Sequence, residues 1–307
     1  MRYYSLLLLI AIFLVGCDRS SAKVVTITQE ESDAYKSVTS SLESLQEDIG
    51  FSGPDDWQSL NKEKQQSFRS YRFFDPVTAT PERNTLYIAQ LNTLDSMDLR
   101  MLLSVKEYLS AFYQCDTKII FLPVDIDAVP EKYYRINSIG EKQILTDFYL
   151  KELLYQNLPT DAIGLIGCTS LDIYPDPKWN FVFGKASLRK RVAVWSTRRL
   201  EKLGFDANEN QHIVQRNLKT ASHESAHIFS LPHCVDHRCL MNGSANLQDS
   251  DRRPMHLCNS CLGKLHWNRK FDLEQRFALL FNYWDTADDV DEMLHYEVSR
   301  ELILKKD

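Results

Sequence analysis

The sequence predicts an α/β fold: a mostly parallel, twisted sheet with an antiparallel edge strand, covered by helices. Three observations predict it. Short apolar runs at 86–91, 118–124 and 162–167 alternate with stretches of helical periodicity, the pattern of parallel strands joined by crossover helices. Two further short runs, 180–183 and 192–195, flank Gly184 and read as a strand pair. Residues 272–284 and 286–304 carry helical spacing to the end of the chain. Bulk composition agrees: 307 residues, 44% hydrophobic and 25% charged, are ordinary globular values that exclude wholesale disorder, collagen and a small disulfide scaffold. The net charge of −6 leaves no basic surplus, so nucleic acid is not an expected partner.

Residues 1–16 join Arg2 to an unbroken apolar run, Leu6–Val15. A bilayer span needs about 20 residues, so this run suits the core of a secretory signal instead. Leu14-Val15-Gly16-Cys17 resembles a bacterial lipobox. That resemblance implies cleavage before Cys17 and lipidation of its thiol, and so attachment to a membrane of the bacterial cell envelope, facing the periplasm. The competing reading is a short N-terminal anchor with an incidental cysteine. Residues 17–80 then read as a lipidated tether and helical extension. Tyr35, Val38, Leu42, Leu45 and Ile49 recur at helical spacing until Gly50 and Gly53-Pro54, and Trp57, Leu60, Phe68 and Tyr71 suggest a second helix.

The main domain spans 84–284, followed by a C-terminal helix in 286–307. After the first strand, Met97–Phe112 is predicted helical with Leu99, Leu102, Leu103, Val105, Leu109 and Phe112 as its apolar positions. Ile139–Tyr155 is predicted to be a second helix. Ile213–Phe229 is a third, with Val214, Leu218, Ala221, Ser225 and Ile228 turned inward and His223 and His227 on a neighbouring face. Asp288, Asp289, Asp291 and Glu292 at the start of the last helix, and Lys305 and Lys306 at its end, suit the helix dipole.

Chemistry is concentrated in one segment: six of the eight histidines and four of the seven cysteines lie between His223 and His266. His223-Glu224-Ser225-Ala226-His227 is an HExxH motif. Histidines four apart share a helix face, so both imidazoles can reach one zinc ion, and Glu224 sits beside them to polarise a water. Pro232 stops the helix, and His233 offers a third imidazole; three histidines with an open fourth position make a catalytic arrangement. The run continues Cys234-Val-Asp-His-Arg-Cys239-Leu-Met241, then Cys258-Asn-Ser-Cys261.

At this point the sequence resembles the archaemetzincins, metzincin-type zinc peptidases with the pattern HExxHxxGxxHC, four residues, CxM, about seventeen residues and CxxC. Here 16 residues separate Met241 from Cys258. The resemblance covers roughly 84–284 and includes the strand pair at 180–184 and 191–194. It implies a metzincin-like fold, His223, His227 and His233 as ligands of a catalytic zinc, Glu224 as general base, Met241 as the Met-turn residue, and Cys234, Cys239, Cys258 and Cys261 as ligands of a second, structural zinc. The cysteine pairs, spaced by four and two residues with 18 between the pairs, suit a closed tetrahedron of four thiolates. In an oxidising compartment the same four could form disulfides instead.

Ser230 departs from the pattern, standing where the family has a glycine at a helix end that often takes positive φ. Cys115 and Cys168 are expected as buried free thiols, and His237, His256 and His266 as solvated histidines. The expected activity is zinc-assisted hydrolysis of a peptide or protein, the peptide held against the edge strand at Asn180–Gly184. The alternative is a non-catalytic envelope zinc-binding lipoprotein with a decayed peptidase site.

Overall fold

The computed structural model describes residues 26–305 apart from Phe51 and 201–206. Cys17 and the apolar leader therefore lie outside the described residues. In chain order the helices are α1 (Gln29–Ser41), α2 (Trp57–Leu60), α3 (Phe68–Phe73), α4 (Ser96–Tyr113), α5 (Ala207–Ile228), α6 (Leu247–Asp251), α7 (Asn259–Arg269), α8 (Leu273–Thr286) and α9 (Val290–Leu304). The strands are β1 (Thr85–Gln90), β2 (Thr117–Phe121), β3 (Tyr134–Ile136), β4 (Lys142–Leu145), β5 (Ala162–Thr169), β6 (Asp172–Tyr174), β7 (Gly184–Ala186) and β8 (Val192–Ser196).

A five-stranded sheet in the order β2-β1-β5-β8-β7 organises the molecule. Its strands are parallel except for β7, which runs antiparallel to β8 at the edge. This is the predicted fold class. Alternate residues of the central strands feed separate cores. Leu86, Ile88, Ile166, Ala193 and Trp195 pack beneath α4 and α5, whereas Ala89, Leu165, Val192 and Val194 pack against Tyr149, Leu150 and Leu154. Burial on both faces explains why these strands read as continuous apolar runs. Helix α4 begins where Asp95 accepts hydrogen bonds from the backbone of Met97 and Asp98, and it ends at Gln114 in the left-handed region. Its buried stripe is Met101, Leu102, Val105, Tyr108, Leu109, Phe112 and Tyr113, while Leu99 and Leu103, expected inside, face solvent.

Within the main domain two predicted elements differ, and the second helix expected over Trp57–Tyr71 is two short ones, α2 and α3. Ile139–Tyr155 is not one helix. Asn137–Glu141 forms a turn, with Gly140 at φ 82° and the Asn137 side chain accepting from the backbone N–H groups of Ile139 and Glu141. That turn pairs β3 with β4, β4 pairs with β6 in a small second sheet, and helix begins only after Leu145, with Phe148–Leu154 a π-helix. Asn180–Phe183 is not a strand either. The Asn180 carbonyl accepts from Arg135 and Gln143 side chains, so β7 begins only at Gly184, pairing with Trp195.

The extension packs on the same core. Val38, Leu42, Phe68 and Tyr71 are buried, α1 packing on α7 and α9 and α3 on α7, and Tyr71 donates to the Phe229 carbonyl at 2.9 Å. Helix α1 stops at Ser41, short of the predicted Ile49. The Ser40 and Ser41 hydroxyls donate back to Lys36 and Ser37 carbonyls, and the chain then bridges Asp48 to His237. Cys115 and Cys168 are buried and free. Among the described residues no helix is long and apolar enough to cross a membrane.

Candidate active site and metal centres

Helix α5 is amphipathic against the sheet: Leu218, Ala221, Ser225 and Ile228 are buried, and His223 and His227 project from the adjoining face into a cleft of about 660 Å³. The helix ends at Ile228, and two residues on Ser230, at φ 65°, reverses the chain and carries Leu231 and Pro232 round to His233. His223, His227 and His233 thereby meet, each offering one ring nitrogen within 4.8 Å of the others.

The other ring nitrogens settle the tautomers. His223 Nδ1 lies 2.8 Å from the Leu240 carbonyl, and His227 Nδ1 lies 2.6 Å from the Leu231 carbonyl. A carbonyl only accepts, so both Nδ1 atoms carry hydrogen and both Nε2 atoms expose lone pairs. His233 Nδ1 lies 2.9 and 3.0 Å from the two oxygens of Glu63. Burial, reinforced by His233, holds His227 down to about pH 3 and pushes His223 well below its usual value, so both stay neutral. The Nε2 atoms of His223 and His227 are 3.1 Å apart. Facing lone pairs repel unless a cation lies between them, and tetrahedral zinc with Zn–N of about 2.0–2.1 Å separates its nitrogens by about 3.3 Å. The donor set fits zinc.

Glu224 is nearly buried beside this group, and burial raises its carboxyl pKa to about 8. It fits there because the edge strand opposite has no side chain at Gly184: a Cβ added at that position would lie 2.5 Å from Glu224 Cγ. Gly184, read from sequence as a turn residue, makes room for the acid. Among the described residues strand β7 pairs only with β8, and Gly184–Ala186 lines the cleft.

The four cysteines form a second centre. Their sulfurs also lie within 4.8 Å of one another, all four buried and free, with Cys234 and Cys258 3.8 Å apart. A tetrahedron with Zn–S of about 2.3 Å has an edge of about 3.8 Å. The Met241 and Cys258 N–H groups donate to Cys239 at 3.4 and 3.2 Å, the placement that stabilises a thiolate. Hydrogen bonds from Cys239, Cys258 and Cys261 drive the Cys234 thiol far down in pKa. Met241 is fully buried beside this centre.

His237, His256 and His266, expected in solvent, are instead partly buried and packed. His237 takes a contact from Gln46 at 2.9 Å, His256 stacks on His295 with centroids 3.5 Å apart, and His266 is packed edge-on to Phe271. The site residues the sequence did not reveal are Glu63 and Trp57; Gly184 was expected only as part of the peptide-holding strand, not as the space that admits Glu224. Glu63 lies in the polar run Asn61–Gln66, which has neither periodicity nor motif to mark it.

Comparison with known proteins gives concordant matches. The family model described as Peptidase family M54 matches residues 100–267. Archaemetzincin-2 of Homo sapiens is 30% identical over 268 residues, 77% of this chain and 74% of the relative. Archaemetzincin of Pyrococcus horikoshii is 33% identical over 138 residues, 45% of this chain and 73% of the relative. The crystal structure of archaemetzincin from Methanopyrus kandleri superposes with a TM-score of 0.51 at 28% identity, covering 62% of this chain and 98% of that one.

Proposed function

The chain belongs to peptidase family M54, the archaemetzincins, and is a zinc-dependent metallopeptidase; from that premise we propose which residues do the work and where. His223, His227 and His233 hold the catalytic zinc, Cys234, Cys239, Cys258 and Cys261 hold a structural one, and Met241 packs as the Met-turn residue. The observation that carries the catalytic reading is the set of histidine ring nitrogens within 4.8 Å of one another, with Nδ1 of His223 and His227 tied to carbonyls and the Glu224 carboxylate alongside.

Zinc bound there supplies a Lewis acid that polarises the scissile carbonyl and acidifies water. The chain does the rest. Glu224 acts as the ionised carboxylate, made a stronger base by its buried surroundings; it accepts a proton from water and returns it to the departing amine. The free edge of β7 at Gly184–Ala186, rather than Asn180–Gly184, receives the extended peptide as an added strand. The experiment is digestion of a mixed peptide library by the zinc-loaded chain and by Glu224→Gln. The expected result is cleavage lost in the variant with its zinc content unchanged. Equal turnover by Glu224→Gln would remove the general-base role.

For the leader we propose lipidation at Cys17 and anchoring in the bacterial cell envelope, facing the periplasm. The support is the apolar run Leu6–Val15 ending at Gly16-Cys17 with polar sequence beyond. Two acyl chains suffice for stable attachment where one does not. Cys17→Ala is expected to abolish incorporation of labelled fatty acid and to release the protein from membranes. Labelling that persists would refute the lipobox.

A further inference from the structure

The third histidine is oriented by a carboxylate that lies outside the segment matched by the family model. Glu63 sits in the stretch between α2 and α3, whereas that match begins at residue 100. Both Glu63 oxygens lie within 3.0 Å of His233 Nδ1. One of them also accepts the Trp57 indole N–H at 2.9 Å. Trp57 stands edge-on to the His233 ring, centroids 5.0 Å apart. The ring approaches Gly243 so closely that a Cβ there would lie 2.4 Å from Trp57 Cδ1.

The stretch is held along its length. Trp57 N donates to Asp249 at 2.9 Å, Asn61 Nδ2 donates to the Trp57 carbonyl at 3.1 Å, and Gln65 Oε1 accepts from Val235 N at 3.0 Å. Lys264 reaches the Gln66 carbonyl. Glu63 is thus presented by a segment already fixed on the catalytic domain, and its position does not depend on its own flexible side chain alone.

We propose that residues 57–65 complete the zinc site, with Glu63 as the positioning residue that fixes the tautomer and orientation of His233 and Trp57 as the clamp that aims Glu63. The inference rests on the histidine-zinc reading above. The physical basis is the carboxylate–histidine pair. A carboxylate on Nδ1 forces the hydrogen there, leaves Nε2 as the ligand atom, and makes that nitrogen a stronger donor. His223 and His227 obtain only neutral carbonyl partners, so His233 is the one ligand of the three with an anionic partner. Glu63 acts through His233, whose Nδ1 both its oxygens reach, and no proton transfer is assigned to it.

The test is zinc release from the loaded full chain into a chelator, followed with a metal indicator. His227→Ala first identifies the fraction released from the histidine site. Glu63→Ala is expected to release that fraction about 10–100-fold faster. Glu63→Gln is expected to recover much of the loss, because an amide oxygen still accepts the Nδ1 hydrogen. Trp57→Phe, which keeps a ring but removes the indole donor, is expected to fall between. The melting temperature of the zinc-free variants should match that of the zinc-free parent. A Glu63→Ala release rate equal to the parent overturns the proposal. So does equal loss in Ala and Gln with a lowered zinc-free melting temperature, which would mean that Glu63 only packs. If His227→Ala holds as much zinc as the parent, the histidine-zinc reading falls, and this inference with it.

Discussion

Replacing Ser230 with glycine separates a decayed site from a compensated one. Ser230 sits at φ 65° at the turn into His233, and it is almost fully buried. The left-handed conformation costs a non-glycine residue about 1–2 kcal/mol, so glycine would relieve that strain. Its looser unfolded chain would take back roughly 0.5–1 kcal/mol. Against this small gain stand two hydrogen bonds. The Ser230 hydroxyl donates to the Leu188 carbonyl at 2.7 Å and accepts from Val77 N at 3.2 Å, tying the turn to the β7–β8 hairpin and to the extension. Losing both removes about 1 kcal/mol each, and up to about 3 where the partner stays buried and unsatisfied. The expected balance is that Ser230→Gly destabilises the zinc-loaded protein by about 1–3 kcal/mol. Ser230→Ala keeps the strain and loses the bonds, so it should be worse than glycine by about 1 kcal/mol. Urea midpoints at constant slope measure both differences. A glycine variant more stable than the parent would refute the compensation, and Ser230 would then be a defect in the turn that positions His233.

Three further outcomes follow from the same geometry. Gly184→Ala places a Cβ 2.5 Å from Glu224 Cγ, so the carboxylate must move; kcat/KM should fall about 100-fold, the scale of an ångström-sized misplacement, with zinc content unchanged. Cys261→Ser should lower zinc by one per chain in elemental analysis and cost more than about 4 kcal/mol, since a cluster of buried thiols loses its cation. His295 is held down to about pH 3 by burial and by His256 stacked on it. Between its ordinary value near 6.5 and that depressed value, the unfolded chain binds a proton that the folded chain does not, so stability falls as pH falls through this window. By pH 4 this group alone should remove about 3 kcal/mol. His295→Phe should flatten the slope of stability against pH between about 6.5 and 4 by about one proton, and an unchanged slope would contradict the assignment.

The histidine–cysteine block was legible because its logic is local. His223 and His227 are one helical turn apart, Pro232 ends the turn system, and Cys234 adjoins His233, so spacing alone brings most donors near one another. The central strands were legible because burial on both faces leaves an uninterrupted apolar run, as in Ala162–Thr169. The hairpin of β3 and β4 was not, although Asn137 and Gly140 mark its turn: buried Ile144 of β4 runs into buried Tyr149, Leu150 and Leu154 with no turn residue between, so one apolar stretch covers a strand–helix junction. Asn180–Phe183 misled for a different reason. Its residues have strand composition, but Arg135 and Gln143, more than thirty residues away, take the Asn180 carbonyl that a ladder would use. Glu63 was invisible for the same class of reason, since its meaning lies in a contact with a residue 170 positions away.

The histidine and cysteine clusters are mechanically one. His233 and Cys234 are consecutive, so a member of each cluster shares a peptide bond. Cys234 N donates to the Met241 carbonyl at 2.8 Å, and Asn242 closes the loop from inside by bonding the Cys234 carbonyl and Cys239 N, each at 2.8 Å. That loop delivers the Leu240 carbonyl to His223 Nδ1. The cysteine cluster therefore sets the position of the group that fixes the tautomer of the first histidine, while the turn at Ser230 and the extension's Glu63 set the third. Only His227, whose Nδ1 bonds the Leu231 carbonyl four residues on, is oriented within its own turn of chain. A structural zinc at the cysteines, as proposed, would hold Leu240 still, and losing it should weaken zinc at the histidines through His223 without touching a catalytic ligand.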